Sequence, residues 1–236
     1  MTLQQSARTD QVGPPYRDRR DAGKVLAKTL AGLRGSGTVV LAIPRGGIPV
    51  AMEVAKALGS RLDIVVPRKI PIPRNTEAGY GAVTEDGSLV LNEPLVGQLG
   101  LTSEQIERDA GVVRAEVRRR QAVYRAILEP SPVEGKMTVI IDDGLASGYT
   151  MLAAIESLRR QGAKKVVAAA PVASSSAWEL VNAAADQVAC PIVSYRYPFA
   201  VASFYRHWRD LTDEEVIADL RAFKRTAGGA GRDGSG

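Results

Sequence analysis

The segment 139–151, VIIDDGLASGYTM, carries the side chains best suited to chemistry in this chain. Its apolar start predicts a buried strand that leads directly into Asp142 and Asp143. Carboxylates at the carboxyl end of such a strand can accept hydrogen bonds from sugar hydroxyls or lie near a hydrated magnesium ion. The pair is therefore predicted to bind a polyol, a magnesium ion, or both.

The residues after the two aspartates have the composition of a phosphate-binding turn: Ala146, Ser147, Gly148, Tyr149 and Thr150. Backbone N–H groups at a helix N-terminus bind phosphate, aided by the positive end of the helix dipole. Ser147 and Thr150 can add hydroxyl donors, and Gly148 would let the backbone approach closely. The structural alternative is a capped strand-to-helix turn beside two surface carboxylates.

A second turn, PRGGIPVA, places Arg45 beside Gly46 and Gly47 after an earlier apolar run. Its N–H groups and guanidinium could converge on a diphosphate. Because Gly-Gly turns occur in many sheets, this pattern is also compatible with a plain turn that carries an exposed arginine.

Alternating strand and helix patterns must position these residues. The pattern predicts strands at 38–43, 62–66, 138–141, 166–170 and 188–193, and helices at 18–35, 49–58, 150–161 and 175–185. Apolar runs joined by helices are typical of a doubly wound, mainly parallel sheet. The fold class is therefore α/β.

The middle of the chain interrupts this alternation. Short alternating runs on either side of Asp86-Gly87 predict an antiparallel hairpin. A helical pattern follows at 102–128, with Thr102 or Ser103 as its N-cap. We therefore predict a flexible segment at 1–17, one domain at 18–225 with a hood and helical insertion at 74–130, and a disordered tail at 226–236.

Charge and composition favour an intracellular protein that binds an anion. The net charge is +5 with a pI near 9.4, which suits a polyanionic ligand and also nucleic acid. The basic run around Arg118 to Arg120 fits a solvated helix face better than a binding stripe. No signal sequence, no membrane span and one cysteine, Cys190, predict a cytoplasmic protein with a buried thiol.

The window 138–150 resembles the motif that binds 5-phosphoribosyl-1-pyrophosphate (PRPP) in type I phosphoribosyltransferases. Both have mostly apolar residues, two acidic residues, a short linker and a small-residue loop similar to ATGxT. The resemblance implies that catalytic Asp142 and Asp143 hold the ribose hydroxyls, and Mg²⁺ through water or PRPP. It also implies that 146–150 holds the 5-phosphate. Gly144 departs from the family, which usually has an aliphatic residue there.

The same resemblance extends to the pyrophosphate side. PRGG resembles the family's pyrophosphate loop, which implies that Arg45, Gly46 and Gly47 contact the leaving group. In the family a basic residue after the second strand serves this group as well, which would be Arg68 or Lys69. The segment NTEAGYGAVTEDG resembles the mobile hood, and its candidates are Glu77, Tyr80 and Gly81.

The resemblance implies a homodimeric transferase that moves the phosphoribosyl group from PRPP to a nitrogen acceptor. The 6-oxopurine enzymes have an aspartate at the position of Ala146, so this chain departs from them. Aromatic residues near the C-terminus could stack on an acceptor base or simply pack as a cap: Tyr197, Phe199, Phe204, Tyr205 and Trp208. His207, the only histidine, is more plausible as a structural or surface residue than as a catalytic one.

Two other functions compete with a transferase. A PRPP-responsive regulator would keep the ligand site and bind RNA or DNA, which the basic pI favours slightly, although no helix-turn-helix pattern precedes the domain. A dinucleotide-binding enzyme is disfavoured because no GxGxxG follows the first strand.

Overall fold

A five-stranded parallel sheet forms the centre of the protein in the computed structural model. The structure describes residues 14–72, 75–84 and 86–229, except for the side chains of 75–78 and 227–229. The strand order is β2-β1-β6-β7-β9, and all neighbouring pairs are parallel. The strands are β1 Val39–Ala42, β2 Arg61–Ile64, β6 Met137–Ile141, β7 Lys165–Ala169 and β9 Gln187–Ala189. This confirms the predicted fold class.

Alternation along the strands explains why the sheet is covered on both faces. Successive side chains of β1 point to opposite faces, so Val40 packs in one core cluster and Leu41 in the other. The first face is covered by α1 Arg19–Thr29, α2 Gly47–Leu58, α4 Ser103–Arg125 and α7 Asp213–Gly229, and the second by α5 Tyr149–Arg160 and α6 Ser175–Ala184. The apolar runs thus belong to strands that are buried on both sides.

The predicted hairpin is part of a three-stranded antiparallel sheet. Its strands are β3 Arg68–Ile72, β4 Asn75–Val83 and β5 Leu89–Leu91. The turn contains Gly87 at φ +84°, and the Thr84 N–H donates to the Ser88 carbonyl at 3.0 Å. A short helix that the sequence did not predict, α3 Glu93–Leu99, precedes α4, whose N-cap is Thr102 in a capping box.

One predicted strand was wrong. The segment 188–193 forms two strands, β9 and β10 Ile192–Ser194, and β10 leaves the main sheet to pair with β8 Val172–Ser174. Pro191 separates them, because it has no N–H for a ladder hydrogen bond and its φ is fixed. The result is a small parallel sheet beside the main one.

Regular structure extends past both predicted ends of the domain. Tyr16 is buried, and its hydroxyl donates to the Pro171 carbonyl at 2.9 Å, so order begins before the predicted boundary at residue 18. Helix α7 continues to Gly229, whereas the disordered tail was predicted to begin at residue 226, so the helix includes the first four residues of that tail. No helix within the described ranges is long and apolar enough to cross a membrane.

Candidate functional site

The two predicted ligand turns lie side by side at the carboxyl edge of the sheet. Strands β1 and β6 are neighbours, with Ala42 in register with Ile141, so the turns that follow them meet. A Cβ added to Gly46 would overlap the Asp143 carboxylate, and one added to Gly47 would lie 2.5 Å from the Ile141 carbonyl oxygen. Glycine is therefore required at both positions by the close approach of the acidic turn.

Asp143 is fixed by residues from both ends of the chain. Arg19 Nε donates to Asp143 Oδ2 at 2.7 Å, and both side chains are mostly buried. The Tyr205 hydroxyl donates to the Asp143 carbonyl at 2.6 Å. The Arg19 guanidinium also lies 3.8 Å from the ring centroid of Trp208 and donates to the Arg209 carbonyl. These contacts hold one carboxylate of the pair in place before any ligand binds.

Burial disfavours the charged form of both aspartates. It raises the pKa of Asp142 well above the usual carboxyl value, and the neighbouring charge of Asp143 raises that pKa further. The pKa of Asp143 is also raised by burial, although the ion pair with Arg19 opposes this effect. The Asp143 N–H donates to Asp142 Oδ1 at 2.8 Å, which ties the two residues together. A ligand that neutralises the pair would favour its ionised form.

The raised pKa of Asp142 predicts a pH-dependent cost in stability. The folded protein holds the proton to a higher pH than the unfolded chain, so stability falls as pH rises from the ordinary carboxyl pKa through the raised value. Asp142→Asn should remove this cost. In metal-free urea unfolding, the variant should gain stability over the wild type as pH rises from about 4 to about 8. A gap between Asp142→Asn and wild type that stays constant with pH would contradict the prediction.

The predicted phosphate turn begins α5 and leaves its first N–H groups without a side-chain cap. Gly148 is the N-cap residue at φ +83°, a left-handed conformation that favours glycine. The turn is fastened to β8: the Leu145 N–H donates to the Val172 carbonyl at 2.9 Å, and Ser174 Oγ donates to the Ala146 carbonyl at 2.8 Å. Residues 146–150 therefore form a preformed turn at a helix N-terminus, a geometry that suits an anion.

A packing contact explains why Gly144 departs from the family pattern. A Cβ at Gly144 would lie 2.5 Å from Val201 Cγ1, in a segment near the C-terminus. Val201 occupies the place where an aliphatic side chain would otherwise lie. The departure is thus compensated by a residue distant in sequence.

This contact predicts a reciprocal pair of substitutions. Gly144→Val should lower the free energy of unfolding by about 1–3 kcal/mol through overpacking. Adding Val201→Ala should restore part of the lost free energy of unfolding, because it removes the two methyl groups that the new side chain would overlap. Urea unfolding of both single variants and the double variant measures the coupling. Strictly additive effects would mean that the two side chains do not compete.

Of the predicted pyrophosphate side chains, Arg45 and Arg68 lie at the same edge of the main sheet, whereas Lys69 points elsewhere. Arg45 Nη1 lies 3.7 Å from Asp213 Oδ1, and Arg68 Nη1 lies 2.8 Å from Glu116 Oε1. Arg45 and Arg68 each follow a parallel strand of the main sheet and lie at the same edge. Lys69 is exposed and, as the next residue of β3, points away from the face that carries Arg68.

The predicted hood residues are mostly structural. Tyr80 is fully buried, and its hydroxyl donates to Asp109 Oδ2 at 3.0 Å on α4. Gly81 lies against β5, where a Cβ would be 2.6 Å from the Val90 carbonyl oxygen. The side chain of Glu77 lies outside the described residues.

The aromatic residues near the C-terminus pack mainly as a cap. Tyr205 is buried between Tyr16 and Trp208, with ring centroids 5.6 and 5.1 Å away, and Phe199 contacts Phe204. Tyr197, in contrast, is 98% exposed and could contact a ligand. His207 is exposed as well. Cys190 is buried, which raises its thiol pKa to about 12, as expected for a structural cysteine.

Sequence reasoning missed the residues that surround the two turns. Arg19 holds Asp143, while Glu116 and Asp213 pair with the arginines that the sequence predicted to bind pyrophosphate. Arg19 and Glu116 lie on amphipathic helices, where charged residues usually indicate only a solvated face. Their spacing in sequence therefore carried no signal for a site.

Comparisons with known proteins agree with this geometry. The family model described as a phosphoribosyl transferase domain matches residues 18–204. A protein described as a candidate phosphoribosyl transferase in two Mycobacterium tuberculosis strains is 39% identical over 92% of this chain, which spans only 48% of that relative's length. A uracil phosphoribosyltransferase from Kineococcus radiotolerans is 32% identical over 58% of each chain.

A solved structure is similar over nearly its whole length. The crystal structure of TT1426 from Thermus thermophilus superposes with a TM-score of 0.74 at 39% identity, covering 88% of this chain and 98% of that one. The range matched by the family model includes both predicted ligand turns and Arg19, whose guanidinium pairs with Asp143. The chain therefore belongs to the phosphoribosyl transferase domain family.

Proposed function

We propose that this protein transfers the 5-phosphoribosyl group of PRPP to a nitrogen acceptor, a nucleobase or a related compound, and releases pyrophosphate. The observation that carries the proposal is the junction of the PRGG turn and the acidic turn on adjacent parallel strands, with glycine imposed by their close approach. An anion-binding turn at 146–150 continues the same edge. One ligand with a phosphate, a ribose and a diphosphate fits this arrangement.

In this proposal the protein acts by positioning its substrates. Backbone N–H groups at 146–150 hold the 5-phosphate, and the carboxylates of Asp142 and Asp143 accept hydrogen bonds from the ribose hydroxyls. Arg45 and Arg68 bind the pyrophosphate and stabilise the charge that develops when its bond to C1 breaks. The acceptor nitrogen forms the new bond to C1 as the C1–O bond to pyrophosphate breaks, and the proton of the acceptor N–H passes to solvent.

Magnesium belongs to the same proposal. The described residues contain no cluster of three or more histidine, cysteine, aspartate or glutamate side chains suited to a metal. Asp142 and Asp143 offer oxygen ligands alone, which suits a Mg²⁺ ion that keeps water and ligand oxygens in its shell. When bound, the ion would reduce the negative charge of the diphosphate. The two aspartates would hold it through water or PRPP.

The acceptor is proposed only as a class. Ala146 stands where 6-oxopurine enzymes of the family have an aspartate, and one relative is named a uracil phosphoribosyltransferase. We propose a role in nucleotide metabolism in the cytoplasm and a homodimeric assembly. Light scattering after size exclusion would test the dimer.

A screen of PRPP-dependent pyrophosphate release tests the transferase proposal. Uracil, other pyrimidines, purines and non-base nitrogen compounds would be compared, each with and without Mg²⁺. Release that depends on one acceptor class supports transfer. PRPP binding without release on any acceptor, together with a salt-dependent gel shift on RNA or DNA, would instead favour a PRPP-responsive regulator. Failure to bind PRPP at all would contradict both functions.

A further inference from the structure

The helical insertion places one face of α4 against the pyrophosphate side of the site. Glu116, Arg120 and Tyr124 are spaced four residues apart, so they lie along one face of this helix. Glu116 Oε1 is 2.8 Å from Arg68 Nη1 and 3.7 Å from Arg120 Nε. The Tyr124 hydroxyl lies 3.5 Å from Asp213 Oδ1. Asp213 in turn is the carboxylate beside Arg45.

Arg120 is the least satisfied member of this group. Its side chain is only 19% exposed, and its Nε is buried without a hydrogen bond to any described residue. Burying a cation with incomplete pairing costs stability, so such a group is expected to have a use. A diphosphate oxygen would supply the missing acceptor.

The net positive charge around Arg120 favours the binding of an anion. Three guanidinium groups, from Arg45, Arg68 and Arg120, face two carboxylates, from Glu116 and Asp213, which leaves a net charge of +1. Burial lowers the pKa of Arg68, and the nearby Arg120 lowers it further, as expected where like charges are close together. A diphosphate would relieve this repulsion.

We propose that Arg120 is a third pyrophosphate-binding arginine, supplied by the insertion helix, and that Glu116 is a placeholder. In the free protein Glu116 pairs with Arg68 and lies close to Arg120. The diphosphate replaces it as their partner when PRPP binds. This inference deepens the proposed function and rests on it.

Calorimetry with three ligands isolates the role of Arg120. PRPP and inorganic pyrophosphate carry the diphosphate, whereas ribose 5-phosphate lacks it. Arg120→Gln should weaken the first two by roughly tenfold or more, the effect of one charge-assisted hydrogen bond, and should leave ribose 5-phosphate unchanged. Arg118→Gln, an exposed arginine on the same helix, is the matched control. Arg120→Lys should recover part of the affinity because it keeps the charge.

Glu116→Gln provides an independent test, in which the PRPP affinity should change in the opposite direction. Removing a competing carboxylate should strengthen PRPP binding by up to about fivefold, even though the variant loses its ion pair with Arg68. A purely structural role for Glu116 predicts weaker binding instead. This arm also remains informative if Arg120→Gln folds poorly.

The outcomes separate this inference from the proposed function. Normal PRPP binding by Arg120→Gln, or an equal loss for ribose 5-phosphate, would overturn the role of Arg120 while leaving the transferase proposal intact. Weaker PRPP binding by Glu116→Gln would overturn the placeholder role. A wild-type protein that binds ribose 5-phosphate but neither PRPP nor pyrophosphate would overturn both proposals.

Discussion

Asp142→Asn, alone and combined with Asp143→Asn, is expected to weaken PRPP binding, and the single variant should do so without losing stability. The single change should weaken Mg²⁺-dependent PRPP binding by roughly tenfold or more, and the double change by at least about a hundredfold, because each lost hydrogen bond to a charged group is worth about 1.5–3 kcal/mol. The free Asp142→Asn protein should unfold at a higher urea concentration than the wild type at about pH 7, because a carboxyl of raised pKa no longer has to ionise in a partly buried site.

The two aspartates should differ in their effect on the fold. Asp143→Asn removes the partner of Arg19, and breaking a mostly buried ion pair costs about 3–5 kcal/mol. The single variants are therefore needed to interpret the double one. Calorimetry with PRPP and Mg²⁺ gives the affinities, and urea unfolding gives the stabilities. Unchanged PRPP affinity in Asp142→Asn would remove this residue from the binding site.

Gly148→Val is the second change with a large expected effect. Gly148 has φ +83°, which costs an L-residue about 1–2 kcal/mol, and a β-branched side chain would also be crowded by α6, since its Cβ would lie 3.3 Å from Val181 Cγ2 and the turn would have to shift. Loss of one or two charge-assisted hydrogen bonds to the 5-phosphate predicts about a tenfold to several-hundredfold loss of PRPP affinity. Ribose 5-phosphate should be affected equally, because it carries the same phosphate.

The other end of α5 supplies a matched control. Gly162 has φ +78°, so Gly162→Val carries a similar backbone strain, but it follows the C-terminus of the helix and lies next to Glu134. Both variants should lose stability, and only Gly148→Val should lose PRPP binding. Soaking crystals in sulfate offers a second test, with the anion expected at the N–H groups of 146–150. An anion found only at another turn would show that the motif has been misread.

Local patterns in the sequence were sufficient for most of the elements and for the two ligand turns. The apolar run before Asp142 is a strand because a two-sided sheet buries nearly every residue of it, and Asp86-Gly87 turns because glycine accepts positive φ. These properties depend on neighbours in sequence. The N-cap of α4 was narrowed for the same reason to Thr102 or Ser103, and the structure selects Thr102.

Pairings between distant residues could not be predicted in this way. Arg19 and Asp143 are 124 residues apart, and Arg120 is one of several arginines on its helix with nothing in its spacing to distinguish it. The break between β9 and β10 was different, since Pro191 is visible in the sequence and argues against a continuous strand there.

The contacts around Asp143 have a consequence for how the protein acquires its site during synthesis. The Arg19 guanidinium donates a hydrogen bond to the Arg209 carbonyl, 190 residues later in the chain. The Tyr16 hydroxyl likewise donates to the Pro171 carbonyl. Contacts of such long range form late, because the closing of large loops must be offset by packing that already exists. A nascent chain that has emerged only as far as α6 contains both predicted ligand turns and Arg19, but it lacks Tyr205, Trp208 and Arg209, which complete the contacts around Arg19 and Asp143. The proposed PRPP site is therefore expected to be complete only when the last part of the domain has docked, and a ligand that binds it would favour the completed fold over its precursors.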